Sequence, residues 1–198
     1  HEHSGRRGGR QGAGVTDSAA DSHDDEMDRL GSHMVPVRLH FGAHSYLDKV
    51  GITSEEFYAE LQRNPEHPKT SQPPPGDFRR QFEFLASHYP SVLSLNLSRQ
   101  VSGTCGAAET AATRVTTHGK VRVVDSMNAS VGQGLLAMYA AECGERGWPL
   151  ERIVSAVEAM RSRTLTFGLV GSLEYGVRGG RLPRWVKSVA DALQLMPI

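Results

Sequence analysis

Apolar and polar positions change period several times along the chain, and the changes mark the elements. Val92, Leu93, Leu95 and Leu97 form a short apolar run bounded by turn residues. That pattern predicts a strand buried on both faces of a parallel sheet. Ala108, Ala111, Ala112 and Val115 then recur at helical spacing. They predict a helix starting near Ser102-Gly103-Thr104, whose small side chains let it lie close on the sheet. Val121-Arg122-Val123-Val124 predicts another buried strand, ending in Asp125-Ser126. A helix over Gly132–Cys143 follows, with Leu135, Met138 and Tyr139 in phase, and Pro149 opens a further helix carrying Ile153, Val154, Val157 and Met160.

The first half is less regular. Residues 1–14 are Gly, Arg and polar with no periodicity, and read as a disordered lead-in or linker. Val15 leads into Thr16-Asp17-Ser18, and the acidic residues from Asp21 to Asp28 predict a short helix ending at Gly31. Val35–Phe41 alternates as one strand, whose Pro36 favours an edge. Thr53-Ser54-Glu55-Glu56 is a capping box opening a helix that carries Phe57 and Leu61. Pro68–Gly76 holds four prolines and reads as a loop, after which Phe78, Phe82 and Leu85 start a helix. From Thr164 the pattern changes: Leu165, Phe167 and Leu169 alternate with smaller or polar residues, then Leu173–Arg181 turns sharply.

Short buried strands alternating with amphipathic helices predict an α/β fold, a mainly parallel sheet flanked by helices with right-handed crossovers. The expected organisation is a lead-in over 1–14, one α/β domain over 15–163, and the beginning of a second α/β domain over 164–198. Ligands in such sheets bind outside the carboxyl ends of the strands. Three strand ends here are rich in hydroxyls: Thr16-Asp17-Ser18, Ser98 through Thr104, and Asp125-Ser126. A helix starting at Ser102-Gly103-Thr104 points backbone N–H groups and its dipole at that edge, which suits an anion. The plainer alternative is that Ser102 is only an N-cap and Gly103 eases the turn. Asp17, Ser18, Asp125 and Ser126 read as loop-ordering groups, each acid accepting backbone N–H bonds in an Asx-turn.

Composition narrows the function further. Net charge is zero, with 22 basic and 22 acidic residues, so no general electrostatic case exists for nucleic acid or an anionic membrane. No apolar run approaches the roughly 18 residues of a membrane span, and no signal-peptide pattern opens the chain. Cys105 and Cys143 form neither a disulfide framework nor a metal spacing, which makes a cytoplasmic location the expectation. No metal site and no cofactor motif is expected. Gly31-Ser32-His33-Met34 looks like a vector remnant, yet lies within the chain.

Five motifs then carry a resemblance: Thr16-Asp17-Ser18-Ala19-Ala20-Asp21, Lys69-Thr70-Ser71-Gln72-Pro73, Leu97-Ser98 with Val101-Ser102-Gly103-Thr104, Val124-Asp125-Ser126, and Leu173-Glu174-Tyr175 with Arg178-Gly179-Gly180-Arg181. In this order they resemble the DegV family of fatty-acid-binding proteins, from about Val15 to the last residue, with Gly31–Met34 in register. The resemblance implies a two-domain α/β protein that holds one long-chain fatty acid and catalyses nothing itself. The carboxylate would rest on hydroxyls of Thr70, Ser71, Ser102 and Thr104 with the Gly103 turn. The implied partner is a fatty-acid kinase, separate or fused, that makes the acyl phosphate. Departures are Arg99 in place of a frequent serine and Pro183 after the Gly-Gly-Arg motif. A later histidine-bearing motif of the family is also absent.

Two other classes compete. A hydrolase would use Cys105 or Ser102 as nucleophile with a histidine base, but no histidine sits at a strand end beside an acid. A phosphate- or nucleotide-binding module would use the Ser-Gly-Thr turn, but no Walker or dinucleotide glycine pattern is present.

Overall fold

The computed structural model describes residues 12–21, 31–116 and 119–192. Two compact units divide the chain, one built from residues up to 35 with 73–165 and the other from 36–72 with 166–198. The larger unit centres on four parallel strands, β1 (Ala13–Asp17), β2 (Ser32–Val35), β6 (Ser91–Asn96) and β7 (Lys120–Asp125), in the order β2-β1-β6-β7. Val92 pairs with Ala13 on one side and Val121 on the other, so β6 is interior and its apolar run is buried on both faces.

Helices cover both faces. On one, α2 (Pro75–His88) and α3 (Thr104–Ala112) bury Phe78, Phe82, Leu85, Ala107, Ala108 and Ala111 against Ala13, Val15 and Val92. On the other, α4 (Ser130–Glu145) and α5 (Leu150–Arg161) bury Leu136, Ala137, Ala140, Ile153, Val154 and Val157 against Leu93, Leu95 and Val124. The alanines of α3 let its axis approach the sheet, since a helix carrying large side chains there would stand farther off.

The smaller unit holds an antiparallel sheet in the order β4-β3-β5, from β3 (Arg38–Phe41), β4 (His44–Leu47) and β5 (Lys69–Ser71). Phe41 pairs with His44 across a two-residue hairpin whose Gly42 has φ +57°, a conformation the favoured hairpin turns require. Helices α1 (Ser54–Arg63), α6 (Glu174–Arg178) and α7 (Arg184–Ala192) belong to the same unit. The Thr53 hydroxyl accepts the Glu56 N–H while Glu56 accepts the Thr53 N–H, completing the expected capping box.

Several expectations need correction. Val35–Phe41 is two strands in two sheets: Pro36 and Val37 lie between β2, an edge of the parallel sheet, and β3, the centre of the antiparallel one. Pro36 lacks an N–H and cannot continue a ladder, so the chain changes sheet there. Pro68–Gly76 is not all loop. Lys69, Thr70 and Ser71 keep their N–H groups and pair with β3, while Pro75 starts α2, where its fixed φ suits a first helical turn.

Residues 36–72, expected inside the first domain, group instead with 166–198. The lead-in does not reach residue 14, because β1 begins at Ala13. Ser32–Val35 is a paired strand, with Met34 beside Thr16, so these residues are part of the sheet. The acidic helix expected over Asp21–Asp28 falls, beyond Asp21, outside the described residues.

Candidate functional site

Parallel pairing brings the carboxyl ends of β1, β6 and β7 side by side, and a continuous buried polar network joins them. Asp17 is fully buried; its Oδ2 accepts the Leu97 N–H at 2.8 Å and the Asn96 amide at 3.3 Å, and its Oδ1 accepts the Ala19 N–H at 3.1 Å. The Ser94 hydroxyl donates to Asn96 Oδ1 at 2.8 Å. An ionised carboxylate only accepts hydrogen bonds, and here it meets three donors, which makes its burial tolerable.

Ser126 is also buried. Its hydroxyl donates to the Asn128 carbonyl at 2.9 Å and accepts the Asn128 N–H at 3.1 Å. The Ser98 N–H donates to the same Asn128 carbonyl at 3.0 Å, locking the β6–α3 loop to the β7–α4 loop. Asp125 Oδ1 accepts the Met127 N–H at 2.9 Å, holding Met127 at φ +52°. Ser18 donates its N–H to the Val35 carbonyl at 3.2 Å, which ties the β1 end to β2. Asn128 Nδ2 also donates to the Thr164 carbonyl at 3.3 Å, and Arg161 Nη1 to the Asp125 carbonyl at 2.7 Å, so the β7–α4 loop is tied to the end of α5 as well.

The Ser102–Thr104 turn is different. Its start is fixed by Ser102 N–H donating to the Ser98 carbonyl at 3.1 Å. Ser102 Oγ accepts the Thr104 N–H at 3.2 Å and lies 2.8 Å from Thr104 Oγ1. Thr104 is fully buried and Ser102 half-buried. If Ser102 donated to Thr104, the Thr104 proton would be left in the interior with no acceptor, which costs more than the reverse direction. Thr104 therefore donates, Ser102 accepts twice, and the Ser102 proton points away from both. The turn presents one committed hydroxyl donor at the start of α3, where first-turn N–H groups have no intrahelical partners. Gly103, the exposed N-cap, adds no side chain.

Thr70 and Ser71 lie in the smaller unit on β5, where successive side chains point to opposite faces. Arg181 Nη2 donates to Thr70 Oγ1 at 3.3 Å, and Ser71 Oγ lies 2.8 Å from His40 Nε2. Arginine cannot accept, so the Thr70 proton is free to go elsewhere. His67 stacks on Tyr175, with ring centroids 5.2 Å apart.

Beneath the larger unit's sheet lies an apolar seam. Gly12, Gly14 and Thr16 face it from β1 and the residue before it, Leu93 and Leu95 from β6, and Ala137, Ala140, Ala141 and Gly144 from α4. Trp148, Leu150 and Ile153 close the far side. Small residues on both walls leave a gap of about 50 Å³ running along the strands toward Thr16. Sequence reading missed this seam, because glycine and alanine register as absent hydrophobicity. It also missed the buried polar residues Ser94, Asn96, Asn128 and Gln133, whose signal was polar types inside otherwise apolar runs.

Cys105 is fully buried at the start of α3, and burial pushes its thiol up to about 11. A thiol held protonated is a poor nucleophile at neutral pH, which counts against the cysteine-hydrolase alternative. Arg99 pairs with Glu109 and lies 3.6 Å from Asp125, so the residue that departs from the family pattern is engaged in surface ion pairs. Among the described residues no group of three or more His, Cys, Asp or Glu could hold a metal ion, and no helix is long and apolar enough to cross a membrane.

Comparison with known proteins gives this geometry a family. A family profile described as "Uncharacterised protein, DegV family" matches residues 13–198. Protein DegV of Bacillus subtilis is 32% identical over 185 residues, covering 93% of this chain and 66% of that protein. A DegV domain-containing protein of Caldanaerobacter subterraneus is 34% identical over 184 residues, covering 93% of this chain and 65% of that one. The chain thus spans about two thirds of the length of these relatives.

Among solved structures, Bacillus subtilis DegV, described as a fatty acid binding protein, superposes with a TM-score of 0.80 at 29% identity, over 96% of this chain and 66% of that one. A DegV family protein from Thermus thermophilus, described by its fatty acid binding, gives 0.77 at 35% identity, over 86% and 60%. The parallel four-stranded sheet flanked by helices is the architecture these proteins share, and the chain belongs to the DegV family.

Proposed function

We propose that this chain binds one long-chain fatty acid, with the carboxylate on the Ser102 turn and the acyl tail in the seam between the sheet and α4–α5. The observation that carries the reading is the joint presence, in one unit, of a committed hydroxyl donor at the strand ends and an apolar seam walled by small residues. Thr70 and Ser71 are proposed as further donors, and Asp17, Ser18, Asp125 and Ser126 as loop-ordering groups. The fatty-acid-binding descriptions of the Bacillus and Thermus relatives support the same ligand class.

Energetics suit the assignment. Burying an acyl chain gains about 0.8 kcal/mol per CH₂, so a ~16-carbon acid gains on the order of 10 kcal/mol before ordering costs. An ionised carboxylate without donors loses several kcal/mol on leaving water, which the Ser102 hydroxyl and the α3 N–H groups offset. The seam as it stands, about 50 Å³, is far below the roughly 300 Å³ of a small ligand site. Loading therefore requires α4 and α5 to move off the sheet, and the acyl chain then replaces contacts that small residues make only weakly.

In this reading the chemistry falls to a partner: a fatty-acid kinase, separate or fused, that phosphorylates the presented carboxylate. Native mass spectrometry of the purified chain is the test. An adduct with the mass of a long-chain acid supports the reading. A bare chain that also takes up no added palmitate, or a nucleotide adduct, overturns it. Acyl phosphate formed from ATP without an added kinase would assign the chemistry to this chain instead.

A further inference from the structure

Gln133 is fully buried, and its Oε1 is the one buried side-chain polar atom among the described residues with no hydrogen-bond partner. Its Nε2 donates to Thr16 Oγ1 at 3.1 Å. Thr16, itself buried, lines the end of the apolar seam nearest the carboxyl edge. Ala137, one helical turn beyond Gln133 on α4, lines the seam as well. Residues four apart share a helix face, so Gln133 lies on the seam side of α4 at its carboxyl-edge end. Polar residues are not left unsatisfied in such a place without cause.

From this orphaned amide we infer that Gln133 is a further ligand of the fatty-acid head group, reaching it from the α4 side of the sheet; the inference rests on the fatty-acid reading above. Turning the amide through 180° lets Oε1 accept the Thr16 hydroxyl proton and puts Nε2, with two N–H donors, in the partnerless position. Either orientation gives the Thr16 hydroxyl one hydrogen bond to the amide. Only the turned one suits an anion, because an acceptor oxygen facing a carboxylate repels it. The Thr16–Gln133 pair is then a polar collar between the apolar seam and the carboxyl edge, able to offer a donor when an acid is present.

The test compares palmitate with methyl palmitate, using the parent chain and the double variant Thr16→Val/Gln133→Leu. Replacing both partners by apolar groups of similar shape leaves no buried hydroxyl stranded, so the melting temperature of the unliganded variant is expected to match or exceed the parent's. Palmitate binding should weaken by about ten- to a hundredfold, the range for losing one hydrogen bond to a charged group. Binding of methyl palmitate, whose ester carbonyl is a neutral and weaker acceptor, should weaken much less. If the variant binds palmitate as well as the parent does, Gln133 is no head-group ligand. If acid and ester weaken equally, the pair shapes the tail site and the inference falls. A parent chain that binds neither overturns the fatty-acid reading and this inference with it.

Discussion

Asp17 and Leu97 are joined across the ends of β1 and β6: Oδ2 of Asp17 accepts the Leu97 N–H at 2.8 Å, while Oδ1 accepts the Ala19 N–H. Both oxygens are needed as acceptors at once. Asn offers only one, so Asp17→Asn points an amide N–H₂ at a buried backbone donor. The expected cost is about 1–3 kcal/mol of stability, read by urea unfolding, with the fold and the bound acid retained. Loss of ligand from a folded Asp17→Asn chain would give this carboxylate a direct part in binding.

Ser102→Ala separates two roles of one hydroxyl. Removing the donor should weaken long-chain acid binding by about ten- to a hundredfold, a charge-assisted hydrogen bond being worth roughly 1.5–3 kcal/mol. A hydroxyl that served the ligand alone would leave the unliganded protein unchanged. The structure alters that expectation, because Ser102 Oγ also accepts the Thr104 N–H and pairs with the buried Thr104 hydroxyl. The unliganded variant should therefore lose about 1 kcal/mol, the usual cost of deleting a helix-start hydroxyl. Calorimetry of binding and thermal unfolding together check both numbers, and unchanged affinity would remove the turn from the site.

The parallel sheet and the hydroxyl-rich strand ends were legible because β6, β7 and α5 carry large apolar residues at the right period. Where the buried face is made of small residues, the same reading picked the wrong side. In α4 the in-phase Leu135 is exposed, and the helix instead buries Leu136, Ala137, Ala140 and Cys143. The change of sheet at Pro36 and the pairing of β5 with β3 were illegible for another reason. Both depend on partners distant in sequence, which local propensity does not encode. Ser102 stood out as a candidate from local turn chemistry, whereas Gln133 did not, since a polar residue inside a helix looks solvent-facing until its burial is known.

Cys105 gives a pH-dependent expectation. Burial raises its folded pKa to about 11, above the unfolded value. Its contribution to stability is therefore fully present below the ordinary thiol value of about 8.5 and is lost as pH rises through the folded one. Iodoacetamide at pH 8 should label Cys105 slowly in the folded chain and rapidly in denaturant, as followed by peptide mass spectrometry. Cys105→Ala should flatten the fall in melting temperature between pH 8.5 and 10.5. Rapid labelling of the folded chain at pH 8 would show a reactive thiolate and restore the nucleophile alternative.

Gly144 tests the seam with two effects of opposite sign. It lies in the last turn of α4 and lines the seam, and a Cβ there would meet only Ile153 Cδ1, at 3.9 Å, an ordinary contact. The backbone thus accepts a side chain without strain. Gly144→Leu replaces a poor helix former by a good one, which favours α4 by up to about 1 kcal/mol, so the unliganded chain should melt at the same temperature or higher. The added isobutyl group projects along the wall that the acyl tail would follow. Palmitate affinity should fall by tenfold or more, since displacing even two buried methylenes at about 0.8 kcal/mol each removes that much, while a shorter acid such as octanoate should lose less. A chain that becomes more stable yet binds long acids worse can only have lost room, because no hydrogen bond or charge has changed. Equal palmitate affinity in Gly144→Leu and the parent would place the tail somewhere other than this seam.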